Sequence, residues 1–440
     1  MAEKPTQVVV AIDGEDVLAG LLFSHRRGGR ESASFSYEPT YLARPDAYAL
    51  DPSLPLVQGG LQTSVGLSMF RAFADAAPDR WGRNLIMRQE RRRATAEGGT
   101  ARSLGEIDFL LGVRDDLRQG ALRFRDQETG VFLAEEDSRV PHVTDLGTLL
   151  HAAEHFESDA ETEEELRDLL RGGSSLGGAR PKAHVIDNEG RIAIAKFPSS
   201  RFDPWDVTAW ESVALHLAFL AGIIVPRSEL VRVADRSVLV VERFDREGDR
   251  RIGYVSAMTM LEAEAGAVGS YLDIASAIEE VSPRATDDLH ELWRRMAFTI
   301  LTSNTDDHLR NHAFLHVGGT AWKLSPAFDL NPDPSSGRKH LATAIDEADT
   351  TASVETLMSV APLFRLDEQG SVDVLREVLA ATGRWSEVAA QRSIPKIEID
   401  QMAPAFEHAE TEAARALTDA QAEGARRLTR DPRRRGGKRE

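Results

Sequence analysis

Cysteine is absent from the 440 residues, and so is any apolar segment long enough to span a bilayer. Without cysteine, disulfides, thiolate metal sites and cysteine nucleophiles are excluded. The longest apolar run, at 213–225, is shorter than the ~20 residues that a membrane helix needs, and it contains a histidine. The N-terminus, M-A-E-K-P-T-Q, lacks the apolar core of a secretory signal. These absences predict a soluble cytoplasmic protein with no membrane partner.

A basic excess is also missing from the chain as a whole. The sequence has 53 Lys and Arg against 71 Asp and Glu, a net charge of −18, which argues against a general binder of nucleic acid or membranes. The exception is residues 426–440, which contain eight basic and two acidic residues. Such a run is typical of a solvated terminus, so we predict a basic, disordered tail.

The length of the chain and the changes in composition along it predict more than one lobe, because 440 residues exceed the usual size of a single domain. Residues 1–125 are interpreted as a β-rich subdomain that begins with two strands around D-G-E-D at 13–16. Residues 126–245 contain an acidic helical region, a Gly/Ser segment and a hairpin around D-N-E-G at 187–190. Residues 246–425 are predicted to be helical. The chain is therefore assigned to the α+β class.

Local signals predict several element boundaries. Asp79 is the predicted N-cap of a helix in the second half of 70–93. A long helix is predicted at 207–222, followed by strands near 228–233 and 237–242.

The segment R-G-G-S-S-L-G-G-A-R-P-K at 171–182 combines four glycines with two serines just before a predicted strand. Glycine lets backbone N–H groups approach an anion closely, so such a run can form a phosphate-binding nest. It is neither a Walker A loop nor a G-x-G-x-x-G motif, and a flexible linker is the alternative interpretation. Lys182 ends the segment and Lys196 ends the second strand of the hairpin. This order is typical of a kinase phosphate loop followed by its strand lysine.

Polar, titratable residues are concentrated in N-T-D-D-H-L-R-N-H at 304–312, between two apolar runs. Asp306 and Asn311 have the D-x4-N spacing of a kinase catalytic loop, in which the Asp accepts a hydroxyl proton and the Asn binds a metal ion. The usual H-R-D lead-in is replaced by N-T-D. Asp329, in L-S-P-A-F-D-L-N-P, suits the second metal-binding Asp, although Phe328 precedes it where the kinase motif has Phe-Gly after it.

A metallohydrolase is the competing interpretation of this cluster. His308 and His312 are four residues apart and would share a helix face, next to the carboxylates of Asp306 and Asp307. H-L-R-N-H lacks the Glu of H-E-x-x-H, and the sequence offers no obvious third ligand. Orienting or packing roles are therefore favoured for the two histidines.

Taken in order, these motifs resemble the HipA family of serine/threonine-protein kinase toxins of type II toxin–antitoxin systems. The resemblance is carried by S-S-L-G-G-A-R-P-K, A-K-F-P-S, V-V-E-R-F-D-R, N-T-D-D-H-L-R-N-H-A-F-L and L-S-P-A-F-D-L, and in the first half by P-D-R-W-G-R and F-L-L-G-V-R-D-D-L-R-Q-G-A-L-R-F. It covers nearly the whole chain except the basic tail. It implies a bilobal, protein-kinase-like fold with a β-containing N-terminal lobe and an all-helical C-terminal lobe, using ATP and Mg²⁺.

The resemblance also implies a role for each matching position. Asp306 would be the catalytic base, and Asn311 and Asp329 would hold Mg²⁺. Family members phosphorylate a serine of the Gly/Ser loop, which switches the kinase off, and the matching position is Ser175, with Ser174 as the second choice. The nucleotide would be contacted by the phosphate loop, the strand lysine, the hinge and the catalytic loop, namely Gly177, Gly178, Ala179, Arg180, Pro181, Lys182, Lys196, Glu242, Arg243, Phe244, His308, Leu309, Arg310, Asn311 and Asp329.

Partners are implied in the same way. Family members act on translation components, notably aminoacyl-tRNA synthetases. They are held inactive by a small helix-turn-helix antitoxin, HipB-like, that binds operator DNA, so this chain would meet DNA only through the antitoxin. Three functions stay open: an active toxin kinase, a metal-dependent phosphohydrolase or nuclease, and a catalytically inactive antitoxin-binding co-repressor. No expected catalytic position is substituted, which favours the kinase.

Overall fold

Two antiparallel sheets precede a mainly helical lobe along the chain, and the predicted α+β class is confirmed. The computed structural model describes residues 5–134, 139–173, 178–201, 203–264 and 266–430, with the backbone alone from residue 422 onward. None of the helices in these ranges is long and apolar enough to cross a membrane.

The first sheet is five-stranded and antiparallel. Its strands are β1 (Thr6–Ile12), β2 (Glu15–Arg27), β3 (Arg30–Tyr37), β4 (Gly60–Gln62) and β5 (Leu122–Asp126), in the spatial order β4-β3-β2-β1-β5. The predicted D-G-E-D turn is confirmed, since Asp13 and Gly14 have φ of 50° and 87°, the left-handed conformations that a tight hairpin needs. Val8, Val9 and Val10 are all fully buried. Because successive strand residues point to opposite faces, β1 is covered on both sides.

Four helices lie between the strands of this first region. They are α1 (Pro39–Leu42), α2 (Arg71–Asp75), α3 (Arg80–Ala96) and α4 (Glu106–Leu111). The predicted N-cap of α3 is confirmed, because the Asp79 carboxylate accepts a hydrogen bond from Gly82 N at 2.7 Å.

The second sheet has four strands and forms its own core with helices on one face. Its elements are α5 (Leu146–Glu157), α6 (Glu163–Arg171), β6 (Lys182–Ile186), β7 (Ile192–Lys196), α7 (Val207–Leu220), β8 (Ser228–Val233) and β9 (Arg236–Glu242), with strand order β6-β7-β9-β8. The predicted acidic helical region, hairpin, long helix and strand pair are confirmed. Side chains of α5 and α6 pack with the sheet and with Trp81 and Leu85 of α3. By contrast, α7 is buried along almost its whole length and joins the core of the C-terminal lobe.

The C-terminal lobe is built mainly from helices, but it is not all-helical as predicted. Its helices are α8 (Ala257–Met260), α9 (Tyr271–Val281), α10 (Ala285–Leu301), α11 (Val354–Val360), α12 (Glu368–Thr382), α13 (Trp385–Gln391), α14 (Lys396–Met402) and α15 (Ala409–Arg430). It also contains the hairpin β10 (Arg246–Glu247) and β11 (Arg250–Arg251) and a sheet of β12 (Tyr254–Ser256), β13 (Ala313–Gly318) and β14 (Ala321–Leu324). The local sequence pattern does not predict this sheet, because β12 is only three residues long. It pairs with β13, which is distant in sequence, and Val255 lies opposite Phe314.

The start of the predicted tail also differs from expectation. The helix α15 continues to Arg430, so residues 426–430 are helical, while residues 431–440 lie outside the described part of the chain. A run of arginines indicates solvation but says nothing against helix, because Arg is a good helix former and follows an Ala- and Glu-rich helix here.

Candidate functional site

The lysine that ends β7 connects the two lobes. The Lys196 ammonium donates hydrogen bonds to Glu211 Oε1 at 2.6 Å and to Asp329 Oδ1 at 3.0 Å. Glu211 lies on the buried helix α7, and Asp329 lies on the loop after β14 in the C-terminal lobe. One cation is therefore held between two carboxylates that come from different lobes.

Charge states in this triad follow from its mutual contacts. Burial alone would lower the pKa of Lys196, but Asp329 and Glu211 together raise that pKa above its usual value. Burial would raise the pKa of Asp329, yet the charge and hydrogen bond of Lys196, helped by Lys182 and His308, hold it at about 2. Asp329 is thus a carboxylate and Lys196 an ammonium at neutral pH.

The backbone of Asp329 is unusual. Its φ of 58° lies in the left-handed region, which Asp tolerates better than most residues. Asn331 donates its side-chain amide to Asp329 O at 3.2 Å and its backbone N–H to Asn304 Oδ1 at 3.3 Å. The second contact ties the Asp329 loop to the 304–312 loop, so the two predicted site loops are adjacent.

Two neighbouring aspartates in the 304–312 loop have opposite environments. Asp307 is buried, and its carboxylate accepts hydrogen bonds from Tyr271 Oη, from Thr299 Oγ1 at 3.2 Å and from His312 Nε2 at 3.1 Å. Asp306, in contrast, is exposed to solvent. Asp307 therefore anchors the loop to α9 and α10, whereas the Asp306 side chain lies at the surface.

Asn311 stabilises the same loop from the other end. Its Nδ2 donates to Asp306 O at 3.1 Å, and its side chain is buried. The amide therefore fixes the backbone of Asp306, and its Oδ1 is an oxygen donor of the kind that Mg²⁺ prefers.

The two histidines of the loop are separated by the fold. Residues 309–311 form a short 3-10 turn, and His312 directly precedes β13, so the helix face that His308 and His312 were expected to share does not exist. His308 is exposed, whereas His312 is buried against Asp307. The geometric basis of the metallohydrolase interpretation is therefore wrong, because a turn and a strand replace the expected helix.

The described part of the Gly/Ser segment lies against Lys182. Ser174, Ser175 and Gly177 fall outside the described residues, as does Leu176. Gly178 has a φ of +117°, and a Cβ there would lie only 3.0 Å from Lys182 Nζ, so this position favours glycine for both conformation and space. The neighbouring Ala179 and Arg180 are exposed.

Lys182 itself is buried and ion-paired. Its Nζ lies 2.6 Å from Asp79 Oδ2, the same carboxylate that caps α3. Arg180 is likewise paired, with Nε 2.7 Å from Asp203 Oδ1. The Pro181 carbonyl accepts the Phe197 N–H at 2.9 Å, which fixes the end of the segment to the sheet.

The predicted hinge is fastened by a buried ionic network. The Arg243 guanidinium donates to Asp245 Oδ1 and Oδ2 at 2.8 and 2.6 Å, to Leu117 O at 2.7 Å and to Arg118 O at 3.1 Å. Its side chain is thus engaged with the L-R-Q-G segment of the N-terminal lobe. The backbone N–H groups of Glu242 and Arg243 are also engaged, donating to Arg227 O at 2.8 Å and to Ile192 O at 3.3 Å.

Aromatic contacts join the hinge to the Asp329 loop. The ring centroids of Phe244 and Phe328 are 5.4 Å apart. Glu242 ends β9, and its Oε2 lies 3.5 Å from Arg191 Nη1. Phe244 of the predicted hinge therefore packs against Phe328 of the Asp329 loop.

Two residues that were predicted to contact the nucleotide, Leu309 and Arg310, interact with other parts of the protein in the structure. Leu309 is buried, and a Cβ at Gly269 would come within 2.6 Å of its Cδ1, so its side chain packs closely against that glycine. Arg310 is exposed, and its charge acts to lower the pKa of Asp75. The pKa of Asp75 is nevertheless raised to about 6, because the effect of burial outweighs that of its hydrogen bonds from Ser256 and Thr259.

Sequence reasoning missed Glu211. It is the only acidic residue in V-T-A-W-E-S-V-A-L-H-L-A-F-L, the sequence of α7. A lone carboxylate in an apolar helix that is buried along almost its whole length needs a cationic partner. That signal was available, but only the fold identifies the partner as Lys196.

The site has the parts that phosphoryl transfer requires. It has oxygen ligands suited to Mg²⁺ in Asp329 and Asn311, a lysine held by a helix glutamate, and an exposed aspartate on an anchored loop. With the two lobes and the hinge, these features define a bilobal, kinase-like α+β protein.

Comparisons with known proteins relate the chain to HipA-like proteins. Residues 174–386, just under half of the chain, match the family described as the HipA-like C-terminal domain. Most of the chain aligns in fold with a chain of the solved complex of HipA, HipB and operator DNA from the toxin–antitoxin system of Shewanella oneidensis MR-1. That alignment has a TM-score of 0.65 and 16% identity, and it covers 94% of this chain and 97% of the other.

Two curated relatives match a shorter part of the sequence. A Sinorhizobium fredii protein named "Putative kinase Y4mE" is 27% identical over 180 residues, and a Haemophilus influenzae protein named "Putative kinase" is 24% identical over 182 residues. Each alignment covers 36% of this chain, and they span 41% and 52% of the relatives' own lengths.

Proposed function

We propose that this chain is an ATP- and Mg²⁺-dependent serine/threonine-protein kinase that acts as the toxin of a toxin–antitoxin pair. The observation that carries the proposal is Lys196, which bridges Glu211 of α7 and Asp329 of the opposite lobe. Protein kinases need a strand lysine paired with a helix glutamate, and a metal-binding aspartate facing them. The HipA fold and the kinase names of the relatives support the same assignment.

Each residue has a definite task in this mechanism. Asp306 accepts the proton of the substrate hydroxyl, because it is the exposed carboxylate on a loop that Asp307 anchors. Lys196 neutralises phosphate charge and is kept in place by Glu211. Asp329 and Asn311 would hold Mg²⁺ through oxygen atoms. When bound, Mg²⁺-ATP supplies the transferable phosphoryl group and its charge neutralisation.

The proposed partners follow from the family. A helix-turn-helix antitoxin of the HipB type would bind the chain, as HipB is present in the Shewanella complex, and operator DNA would be reached only through it. The net charge of −18 agrees with indirect contact to DNA. The protein substrate is proposed to be a translation component such as an aminoacyl-tRNA synthetase, met in the cytoplasm.

Self-inactivation by autophosphorylation on Ser175, with Ser174 as the second site, completes the proposal. A phosphoserine carries about −1.5 to −2 charges, which would repel the phosphates of an incoming nucleotide. The neighbouring Gly178 supports it, because its left-handed backbone lets the segment change conformation at low cost.

The kinase activity is tested with purified protein, radiolabelled ATP and Mg²⁺, comparing the native chain with Asp306→Asn. We expect the native chain, but not the Asp306→Asn variant, to transfer the γ-phosphate to protein serine. Metal-dependent phosphodiester cleavage without ATP would instead favour the phosphohydrolase. Antitoxin binding without any transfer would favour the inactive co-repressor.

Autophosphorylation is tested by mass spectrometry after incubation with ATP. Fragment ions must assign the site, since Ser174 and Ser175 are adjacent. The expected phosphate is on Ser175, with lower kinase activity, and Asp306→Asn should stay unmodified. Full modification without loss of activity would contradict the switch, even if the kinase activity itself is established.

A further inference from the structure

Two histidines and a glutamate converge on the outer face of the helix pair α5–α6, away from the residues of the proposed kinase site. His151 and His155 are one helical turn apart on α5, and their ring centroids are 3.9 Å apart. Their Nδ1 atoms lie 3.1 and 2.8 Å from the same atom, Glu165 Oε1, which comes from α6. We propose that His151, His155 and Glu165 form a binding site for a divalent transition metal of the zinc class.

The donor set fits that class of ion. Two imidazole nitrogens and one carboxylate oxygen are common zinc ligands, and three protein ligands leave a fourth position for water. Ligands at about 2.0–2.1 Å from a tetrahedral ion are separated by about 3.3 Å. The observed separations from Glu165 Oε1 are close to this value, and all three donor atoms lie within 4.8 Å of one another. Mg²⁺ prefers six oxygen ligands and would not favour this set.

The glutamate is positioned before any ion binds. Thr162 caps α6, and in the capping box its backbone N–H donates to Glu165 Oε2 at 2.6 Å. The other oxygen, Oε1, is left facing the two imidazoles. That hydrogen bond is the main cause of a Glu165 pKa of about 2, so the carboxylate is ionised. A hydrogen-bonded oxygen beside the donor oxygen is the kind of support that orients metal ligands in proteins.

The histidine contacts are poorly explained as ordinary hydrogen bonds. His155 Nδ1 is buried from solvent and has no hydrogen bond of acceptable alignment, although the carboxylate oxygen is only 2.8 Å away. A shared ion would use the lone pairs of all three groups at once.

Metal binding here would join α5 to α6 just before the Gly/Ser segment. The helix α6 ends at Arg171, and the next carbonyl, of Gly172, accepts the His184 N–H at 2.6 Å. An ion that binds only the folded pair should raise the melting temperature of the protein. The proposal does not depend on the kinase assignment, because none of these residues belongs to that site.

Calorimetric titration of the untagged full chain with Zn²⁺, without nucleotide and in excess Mg²⁺, tests the site. We expect one Zn²⁺ per chain, a higher melting temperature, and the visible absorption of tetrahedral Co²⁺ when that ion is used. His155→Gln should weaken binding by at least ~10–100-fold. Glu165→Gln should do the same while keeping the helix cap, since Gln also serves in a capping box.

The matched control is His25→Gln, which removes an exposed histidine of β2. It should leave Zn²⁺ affinity, stoichiometry and the metal-induced melting shift unchanged. Zn²⁺ binding that is equally strong in the His155→Gln and Glu165→Gln chains would place the ion elsewhere and overturn the proposal. Absence of Zn²⁺ binding to the native chain would overturn it as well.

Discussion

Replacing Glu211 by Gln tests the lysine–glutamate pair at the centre of the proposed kinase. The substitution keeps an oxygen acceptor 2.6 Å from Lys196 Nζ but removes its charge. Hydrogen bonds that involve a charged group contribute about 1.5–3 kcal/mol, and we place the bond of Lys196 to a carboxylate near the upper end of this range and its bond to a neutral amide near the lower end. The substitution should therefore weaken the interaction that positions Lys196 by about 1–2 kcal/mol. If it acts on the transition state, phosphoryl transfer should slow by roughly 5–30-fold.

The same change should alter the Mg²⁺ requirement. With Glu211 neutral, Asp329 becomes the remaining anionic partner of Lys196, at 3.0 Å. Mg²⁺ must then compete with a more strongly held lysine for the Asp329 carboxylate, so the Mg²⁺ concentration for half-maximal rate should rise. Stability should change little, because Lys196 keeps Asp329 as an ionic partner and the Gln side chain still accepts its hydrogen bond, so no buried charge is left unpaired.

The assay is a Mg²⁺ titration of phosphoryl transfer at saturating ATP, with a thermal melt of each variant. Glu229→Gln on β8 is the control, since Glu229 is an exposed strand residue of the same lobe. An unchanged rate and an unchanged Mg²⁺ midpoint for Glu211→Gln would refute the reasoning. A collapsed melting temperature would show that Glu211 acts through the fold instead.

Three further substitutions separate chemistry from structure. Asp306→Asn should abolish phosphoryl transfer and leave ATP binding and the melting temperature near native, because Asp306 is an exposed side chain; transfer near the native rate would contradict its role as base. Asp307→Asn should lower the free energy of unfolding by about 2–4 kcal/mol in denaturant titrations, since it leaves buried donors from Tyr271 and His312 without their carboxylate. Asp329→Ala should weaken nucleotide binding more with Mg²⁺ than without it, and equal losses in both conditions would make Asp329 structural.

Much of the site could be predicted because its residues lie in short, ordered motifs. The D-x4-N spacing is enough to single out Asp306 and Asn311 as candidate site residues. The apolar runs on either side of residues 304–312 indicate that this loop lies between core segments. Local rules also gave the turn at Asp13 and the cap at Asp79, since both depend only on residues close in sequence. The order of these motifs then suggested the family.

What the sequence could not show depends on contacts between distant residues. Lys182 pairs with Asp79 across 103 positions, so a lysine predicted to meet phosphates has a carboxylate partner that no motif indicates. Asp306 and Asp307 are identical residues side by side, and only the packing of α9 and α10 decides that the second one is buried. Arg243 is predicted to be a hinge residue that contacts the nucleotide, yet its guanidinium donates a hydrogen bond to Leu117 O in the N-terminal lobe.

The Lys196–Asp329 contact has a consequence for the order in which ligands bind. Under the proposed mechanism, Mg²⁺ alone must displace Lys196 from Asp329, which leaves the lysine with Glu211 only. Mg²⁺ together with ATP replaces both partners at once, because the phosphates offer Lys196 a new anion while the metal offers Asp329 a new cation. Binding of the two ligands should therefore be positively coupled. In Lys196→Met, whose apolar side chain frees Asp329, Mg²⁺ affinity without nucleotide should rise while ATP affinity falls. Isothermal titration of each ligand separately measures both, and a Mg²⁺ affinity that stays the same or falls in this variant would show that Lys196 does not compete for the metal site.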